Sequence, residues 1–358
     1  MPPPALAHPP RPRGKLEWIE VGRGLAALGV VLAHYSVIRP GVTIGAFRPL
    51  GGYSVEFFFV LSGFIIFHVH GEELGRPEAV WRYLWRRFVR VFPTYWLILT
   101  LALLARPFQP SFQHSSLGIS GILNEYFLAP DRFLVIGQAW TLRHEILFYV
   151  IFGAALLNRR IGLSIFMLWM AASAANLILY GLPPGQVIDP LGILVHHYNL
   201  DFLLGLLIAL ALRADKIFVA LGLCLAAAVP PAVILATSDH PDVLARVLLY
   251  KPVFAALLIV AIIMSKRNVR APRLLVMLGA ASYALYISHE LTGSVSAMVL
   301  RHVALNPVVG LLLRAAVAIL FACIFHAWIE RPMLKALRRV PASLRRLRGD
   351  REPLTVAP

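Results

Sequence analysis

Apolar stretches long enough to cross a bilayer recur along nearly the whole chain, separated by polar or charged breaks. Ten can be marked, near residues 19–38, 54–70, 91–105, 145–157, 161–181, 193–212, 217–236, 246–264, 274–299 and 308–329. The second, third and fourth are short, so their edges are the least defined. Backbone polar groups must be satisfied internally in hydrocarbon, and runs of this length and spacing do so as helices. The pattern predicts an all-α, polytopic integral membrane helix bundle of about ten transmembrane helices. The expected organisation is a disordered Pro/Arg-rich tail over 1–18, a membrane domain over 19–330 and a basic tail over 331–358. The first run lacks an obvious cleavage site, which makes it a signal anchor.

Composition agrees, with 59% hydrophobic and only 15% charged residues among 358. The net charge of +16 invites a nucleic-acid reading, but its distribution argues otherwise. Under the ten-span reading, 24 Lys and Arg fall on the side of the termini, six on the opposite side and four within spans. The first set includes Arg11, Arg13 and Lys15, the run around Arg86–Arg90, and the tail from Arg331 to Arg351. That asymmetry puts both termini in the cytoplasm and assigns the chain to the cell inner membrane, with no nucleic-acid partner. Cys224 and Cys323 lie far apart inside expected spans and form neither a disulfide framework nor a metal-ligand spacing.

Ionisable residues inside spans are costly and mark candidate sites. Arg23 and His34 are eleven residues apart in the first run, which returns them to one helix face about 16 Å apart along the axis. The bland alternative is a snorkelling Arg and a His satisfied by a neighbouring helix. Glu56 lies one or two turns inside the second run and needs a partner, for which the first helix offers Arg or His. Ser62 and Gly63, in the middle of that run, read first as small residues for close helix approach. Arg87 and Arg90 share a face near the cytoplasmic start of the third span, where Pro93 suits a first turn. They serve topology and lipid contact, or they capture phosphate through their planar guanidinium forks.

Glu145, beside Arg143 and His144 in WTLRHEILFY, follows a long outer loop. The helix dipole at an outward-facing helix end accounts for it, or it works as an acid or base with Tyr149 nearby. In SYALYISHE, Ser282, Tyr283, Tyr286 and His289 recur at three- and four-residue offsets. Tyr286 and His289 form a packing network there, or contribute to a site. Glu330 and Arg331 read as anchors at the cytoplasmic boundary. His196-His197 with Asp201 finds no third ligand at a convincing spacing, so no metal is expected. Gln109, Gln113, His114, Ser115 and Ser116 of the outer loop are candidate sugar contacts, although polar loops are usually only solvated.

In order along residues 17–332, RGLAALGVVLAH, GGYSVEFFFVLSGF, RRFVRVFPTYW, WTLRHEILFY, SYALYISH and IERP resemble the acyltransferase-3 family of bacterial membrane O-acyltransferases. The resemblance implies transfer of an acyl group, commonly acetyl, from acyl-CoA to a sugar hydroxyl. Typical acceptors are exopolysaccharide, lipopolysaccharide, peptidoglycan or a secreted glycosylated metabolite. The family's Arg-ten residues-His pattern falls on Arg23 and His34, and its Arg-two residues-Arg pattern on Arg87 and Arg90. Some relatives append an extracytoplasmic hydrolase-like domain; this chain is expected to act alone or with a separate protein. Acyl-CoA enters as donor substrate, and no permanently bound cofactor is expected.

On this reading Arg87, Arg90 and Arg23 bind the phosphates of acyl-CoA, and His34 is a general base or a transient acyl carrier. Glu56 or Glu145 orients its imidazole, while Ser62, Tyr149, Tyr286 and His289 support the site. Both the direct and the covalent route fit these residues. A secondary transporter or flippase for a polar glycan would also bury Arg, His and Glu, but it would have no reason to release CoA. In a purely structural membrane protein, the same residues would carry stability and no turnover.

Overall fold

The computed structural model describes residues 17–338, apart from 40–41, 106, 108–117, 130–133, 181–189, 301, 304 and most of 215–240. The described chain is helical apart from one two-stranded antiparallel hairpin, β1 (Val37–Arg39) with β2 (Val42–Thr43). That hairpin turns the chain between α1 (Glu17–Tyr35) and α2 (Leu50–His70). There follow α3 (Val80–Ala105), α4 (Ile119–Phe127), α5 (Trp140–Leu157), α6 (Arg159–Tyr180), α7 (Pro190–Val195) and α8 (Asn199–Arg213). The last four are α9 (Pro241–Lys266), α10 (Arg273–Ala280), α11 (Ser282–Leu300) and α12 (Pro307–Phe325).

Six helical stretches among the described residues are long and apolar enough to span a membrane, and a bent pair, α10 and α11, makes a seventh. Their outward faces carry Leu168, Ile178 and Leu320 at 71%, 74% and 62% exposure, a burden of apolar surface that suits lipid rather than water. The protein is a multi-pass membrane helix bundle. The expected span at 217–236 falls almost wholly outside the described residues.

Several boundaries differ from expectation. The third span does not start near residue 91: α3 begins at Val80, and Pro93 lies inside it rather than in its first turn. The longer helix forms because Trp85, Phe88, Phe92 and Trp96 stack in series along one side, at centroid distances of 5.1–5.6 Å. The Tyr283 hydroxyl donates to the Val91 carbonyl at 2.8 Å, close to the ladder position that proline interrupts. The fifth helix likewise begins at Trp140, which puts Glu145 in its second turn. The span expected at 274–299 is broken by 70° between α10 and α11. After α12 a π-helical turn, His326–Glu330, leads into helix that reaches Arg338, where the Trp85 indole donates to the Leu337 carbonyl at 3.2 Å.

Two glycine-mediated crossings hold the centre together. Helix α2 lies on α8, where a methyl on Gly205 would collide with the Val60 carbonyl and one on Gly63 with that of Phe202. Around this crossing Phe59, Phe148 and Phe202 pack closely, with Phe148 and Phe202 stacked at 4.3 Å. Helix α1 lies on α10, where a methyl on Gly279 would strike the Glu20 carbonyl. Without a hydrophobic drive between helices in lipid, such backbone approach supplies the packing.

Gly205→Ala is therefore expected to cost roughly 1–3 kcal/mol through overpacking. Gly310→Ala, whose methyl would meet nothing within 4 Å, should be neutral or slightly stabilising. Thermal unfolding of both purified variants in detergent separates the two outcomes.

Candidate active site

Three arginines converge on one internal cavity. Its volume is about 260 Å³, and its walls come from α1, α2, α3, α5 and α11. Arg23 reaches it from α1, and Arg87 and Arg90 from the amphipathic first half of α3. Half-buried cations in an apolar bundle need compensation, and each finds it differently. Arg23 donates to Glu20, one turn earlier, at 2.9 Å. The Arg87 guanidinium lies 5.7 Å from the ring centre of Tyr83 and 5.6 Å from that of Tyr149. Arg90 lies 4.9 Å from the ring centre of Tyr283. Aromatic faces offset charge without taking up the guanidinium N–H groups, which leaves planar donors for an anionic ligand.

Glu145 stands on the same cavity. Its Oε1 accepts from Ser62 Oγ at 3.1 Å and from the Tyr149 hydroxyl. These two donors account for its position, rather than the helix dipole. The break before α11 delivers the first residues of that helix, Ser282 and Tyr283, to the cavity wall. The buried Ser282 Oγ has no hydrogen-bond partner among the described residues. A helix N-terminus with a spare hydroxyl beside three guanidinium groups suits a phosphorylated ligand. Further along, Tyr286 and Thr141 share a hydrogen bond of 2.8 Å between their hydroxyls.

His34 does not line the cavity; it is exposed at the far end of α1. The connection runs through α11. The Tyr286 ring lies 6.2 Å from that of His289, and His289 lies 4.8 Å from His34. His34 Nδ1 donates to the Val30 carbonyl at 2.9 Å, and His289 Nδ1 to the Tyr286 carbonyl at 2.6 Å. A carbonyl only accepts, so Nδ1 carries the proton in both rings and Nε2 is left as a lone-pair base. Tyr35 fixes the pairing by donating to the His289 carbonyl at 2.5 Å.

Residues 16–327 match a family defined by an acyltransferase domain, acyltransferase 3. The chain belongs to the acyltransferase-3 family. It is 27% identical over 320 residues to the exopolysaccharide production protein ExoZ of Rhizobium meliloti (strain 1021), a match covering 82% of this chain and 94% of that one. No solved structure matches it. Membership makes the protein a membrane acyltransferase.

Within this acyltransferase, Arg23, Ser62, Arg87, Arg90, Glu145, Tyr149 and Tyr286 meet at one cavity although they come from five helices. His34 and His289 form a second cluster one turn of α11 beyond it. Glu56 is buried on α2 and belongs to neither group. The carboxylate the structure brings beside His34 is Glu290, rather than Glu56 or Glu145. Glu290 was the residue to notice: it is a carboxylate inside an apolar run, directly after His289. Thr141 carries no sequence signal of its own. His197 and Asp201 are both buried but gain no third ligand group among the described residues. The candidate sugar contacts Gln109, Gln113, His114, Ser115 and Ser116 lie outside the described residues.

Tyr149→Phe removes one of two donors from the half-buried Glu145 carboxylate. It is expected to destabilise the protein by about 1–3 kcal/mol, read as a lower thermal midpoint in detergent. Ser62→Ala, which removes the other donor, should move the midpoint in the same direction.

Proposed function

We propose that the protein transfers an acyl group, acetyl in the first instance, from cytoplasmic acyl-CoA to a hydroxyl of an exported glycan. Exopolysaccharide is the acceptor class favoured by the name of its Rhizobium relative. The single observation that carries this reading is the cavity, which joins three arginines to the N-terminus of α11. Under the ten-span reading of the sequence, most Lys and Arg fall on the side of Arg87 and Arg90, which supports a cytoplasmic mouth for the donor and cytoplasmic termini in the inner membrane.

The residues support the following chemistry. Arg87 and Arg90, with Arg23, hold the phosphates by charge-assisted hydrogen bonds, so the acyl-pantetheine arm lies along the cavity toward α11. His34 Nε2 takes the proton of the acceptor hydroxyl as its oxygen attacks the thioester carbonyl. The C–S bond breaks, and the proton passes from His34 to the departing CoA thiolate, giving an ester and free CoA. In the covalent variant, His34 Nε2 itself attacks, and the acyl-imidazole is then opened by the acceptor. The exposure of His34 away from the donor cavity favours an acceptor that approaches from the opposite side of the membrane.

The test is free-CoA release from acetyl-CoA by purified protein supplied with a glycan acceptor. Wild type should turn over, and folded His34→Ala should lose at least a hundredfold, within the range general-base removal commonly costs. Unchanged release by the variant would remove His34 from the chemistry. A transporter of a polar glycan would release no CoA in either case.

Arg87→Ala and Arg90→Ala should each weaken CoA binding by about ten- to a hundredfold, since a hydrogen bond to a charged group contributes roughly 1.5–3 kcal/mol. The loss should shrink at high salt. Isothermal titration with CoA reads both effects.

A further inference from the structure

We propose that Glu290 is the positioning residue of the transfer reaction: together with His289 it holds His34 for proton transfer. The inference rests on acyl transfer at His34, and it assigns the carboxylate partner that the chemistry requires. A nitrogen of His34, a nitrogen of His289 and a carboxylate oxygen of Glu290 all lie within 4.8 Å of one another. Each Nδ1 donates to a backbone carbonyl, which leaves Nε2 of each ring as the lone pair able to take a proton. His289 Nε2 is buried and has no hydrogen-bond partner among the described residues. A buried lone pair left open this way is costly unless a proton arrives during function.

Glu290 is itself held. Its Oε2 accepts from the Gly137 backbone N–H at 2.8 Å, at the turn that starts α5. A methyl on Gly137 would lie 2.8 Å from Glu290 Oε1, so only glycine lets the carboxylate rest there. Thus α5, which also carries Glu145 and Thr141, sets the carboxylate that faces His34. The titratable groups around it are His34 and Tyr35 from α1 and Tyr286 and His289 on α11, with Arg314 of α12 packed on Tyr35. The Arg314 guanidinium lies over the Tyr35 ring at 4.5 Å and donates to the Gly293 carbonyl at 3.2 Å.

The proton path balances. The acceptor hydroxyl gives its proton to His34 Nε2 as the ester bond forms. The imidazolium is compensated by the Glu290 carboxylate and shares its proton with His289 Nε2. When the C–S bond breaks, the proton goes to the CoA thiolate, and both rings return to neutral. Two imidazoles and a carboxylate also make a set of cation ligands. A bound cation is thus the competing occupant, and the metal measurement below separates the two.

The experiment measures kcat and KM for acetyl-CoA in wild type, Glu290→Gln, Glu290→Asp and Gly137→Ala, each checked for CoA binding by titration. Wild-type turnover must be present first, and its absence would fault the acyl-transfer reading rather than this one. Glu290→Gln should lower kcat at least tenfold with KM for acetyl-CoA and CoA affinity unchanged, because the donor cavity is separate. Glu290→Asp should restore part of kcat, and Gly137→Ala, which displaces the carboxylate without removing it, should fall between. A Glu290→Gln enzyme with wild-type kcat would overturn the assignment, as would a rise in KM with unchanged kcat. If Glu290→Gln does not fold, Glu290→Asp and Gly137→Ala decide by the same split. A divalent metal retained at one equivalent by wild type and lost in His289→Ala would also overturn it.

Discussion

The cost of holding guanidinium groups inside a low-dielectric bundle is the constraint on which the rest of this structure depends. Arg23, Arg87 and Arg90 reach one cavity in a protein whose outer surface is apolar. Burial without compensation would cost several kcal/mol per ion. The surrounding helices answer that cost with Glu20, the rings of Tyr83, Tyr149 and Tyr283, and Glu145 held by Ser62 and Tyr149. The solution is partial by design of the chemistry: aromatic faces lower the penalty while leaving N–H donors for a ligand. An anion entering the cavity would complete the compensation.

That demand shapes the backbone as well. Helix α3 starts well before its apolar run because the arginines must sit on ordered turns, and a stack of Trp and Phe side chains supplies the surface that makes those turns stable. The break between α10 and α11 allows α10 to cross α1 at glycines and α11 to aim its first residues at the cavity. From there α11 carries the site outward: Ser282 and Tyr283 on the cavity, Tyr286 at its edge, His289 and Glu290 beside His34. One helix therefore links the arginine cavity to the His34–His289 pair. On the proposed function, this separates donor binding from proton transfer along α11.

Much of this was legible in the chain. The recurrent apolar runs determined a membrane helix bundle, because hydrocarbon leaves the backbone no other solution on that scale. The rarity of charge inside those runs singled out Arg23, His34, Glu145 and His289. Nine of the residues singled out from the sequence, Ser282 and Tyr283 among them, meet at the cavity, since ionisable and hydroxyl side chains at depth are kept only where they face one another. Local period also sufficed for Arg87 with Arg90 and for Tyr286 with His289, each about one turn apart.

Only the tertiary structure decided which carboxylate goes with which cation or base. Glu145 and Glu290 look equally suited to His34 in one dimension, because sequence distance carries no information on contacts between helices. The crossing of α1 with α10 and the fold of α5 against α11 bring Glu290 to His34 and leave Glu145 with Ser62 and Tyr149. The 70° break and the early start of α3 were hidden for a related reason. Hydropathy reports how costly a residue is in lipid, whereas helix ends inside a bundle are set by glycine contacts and ring stacking that exist only once the helices have met.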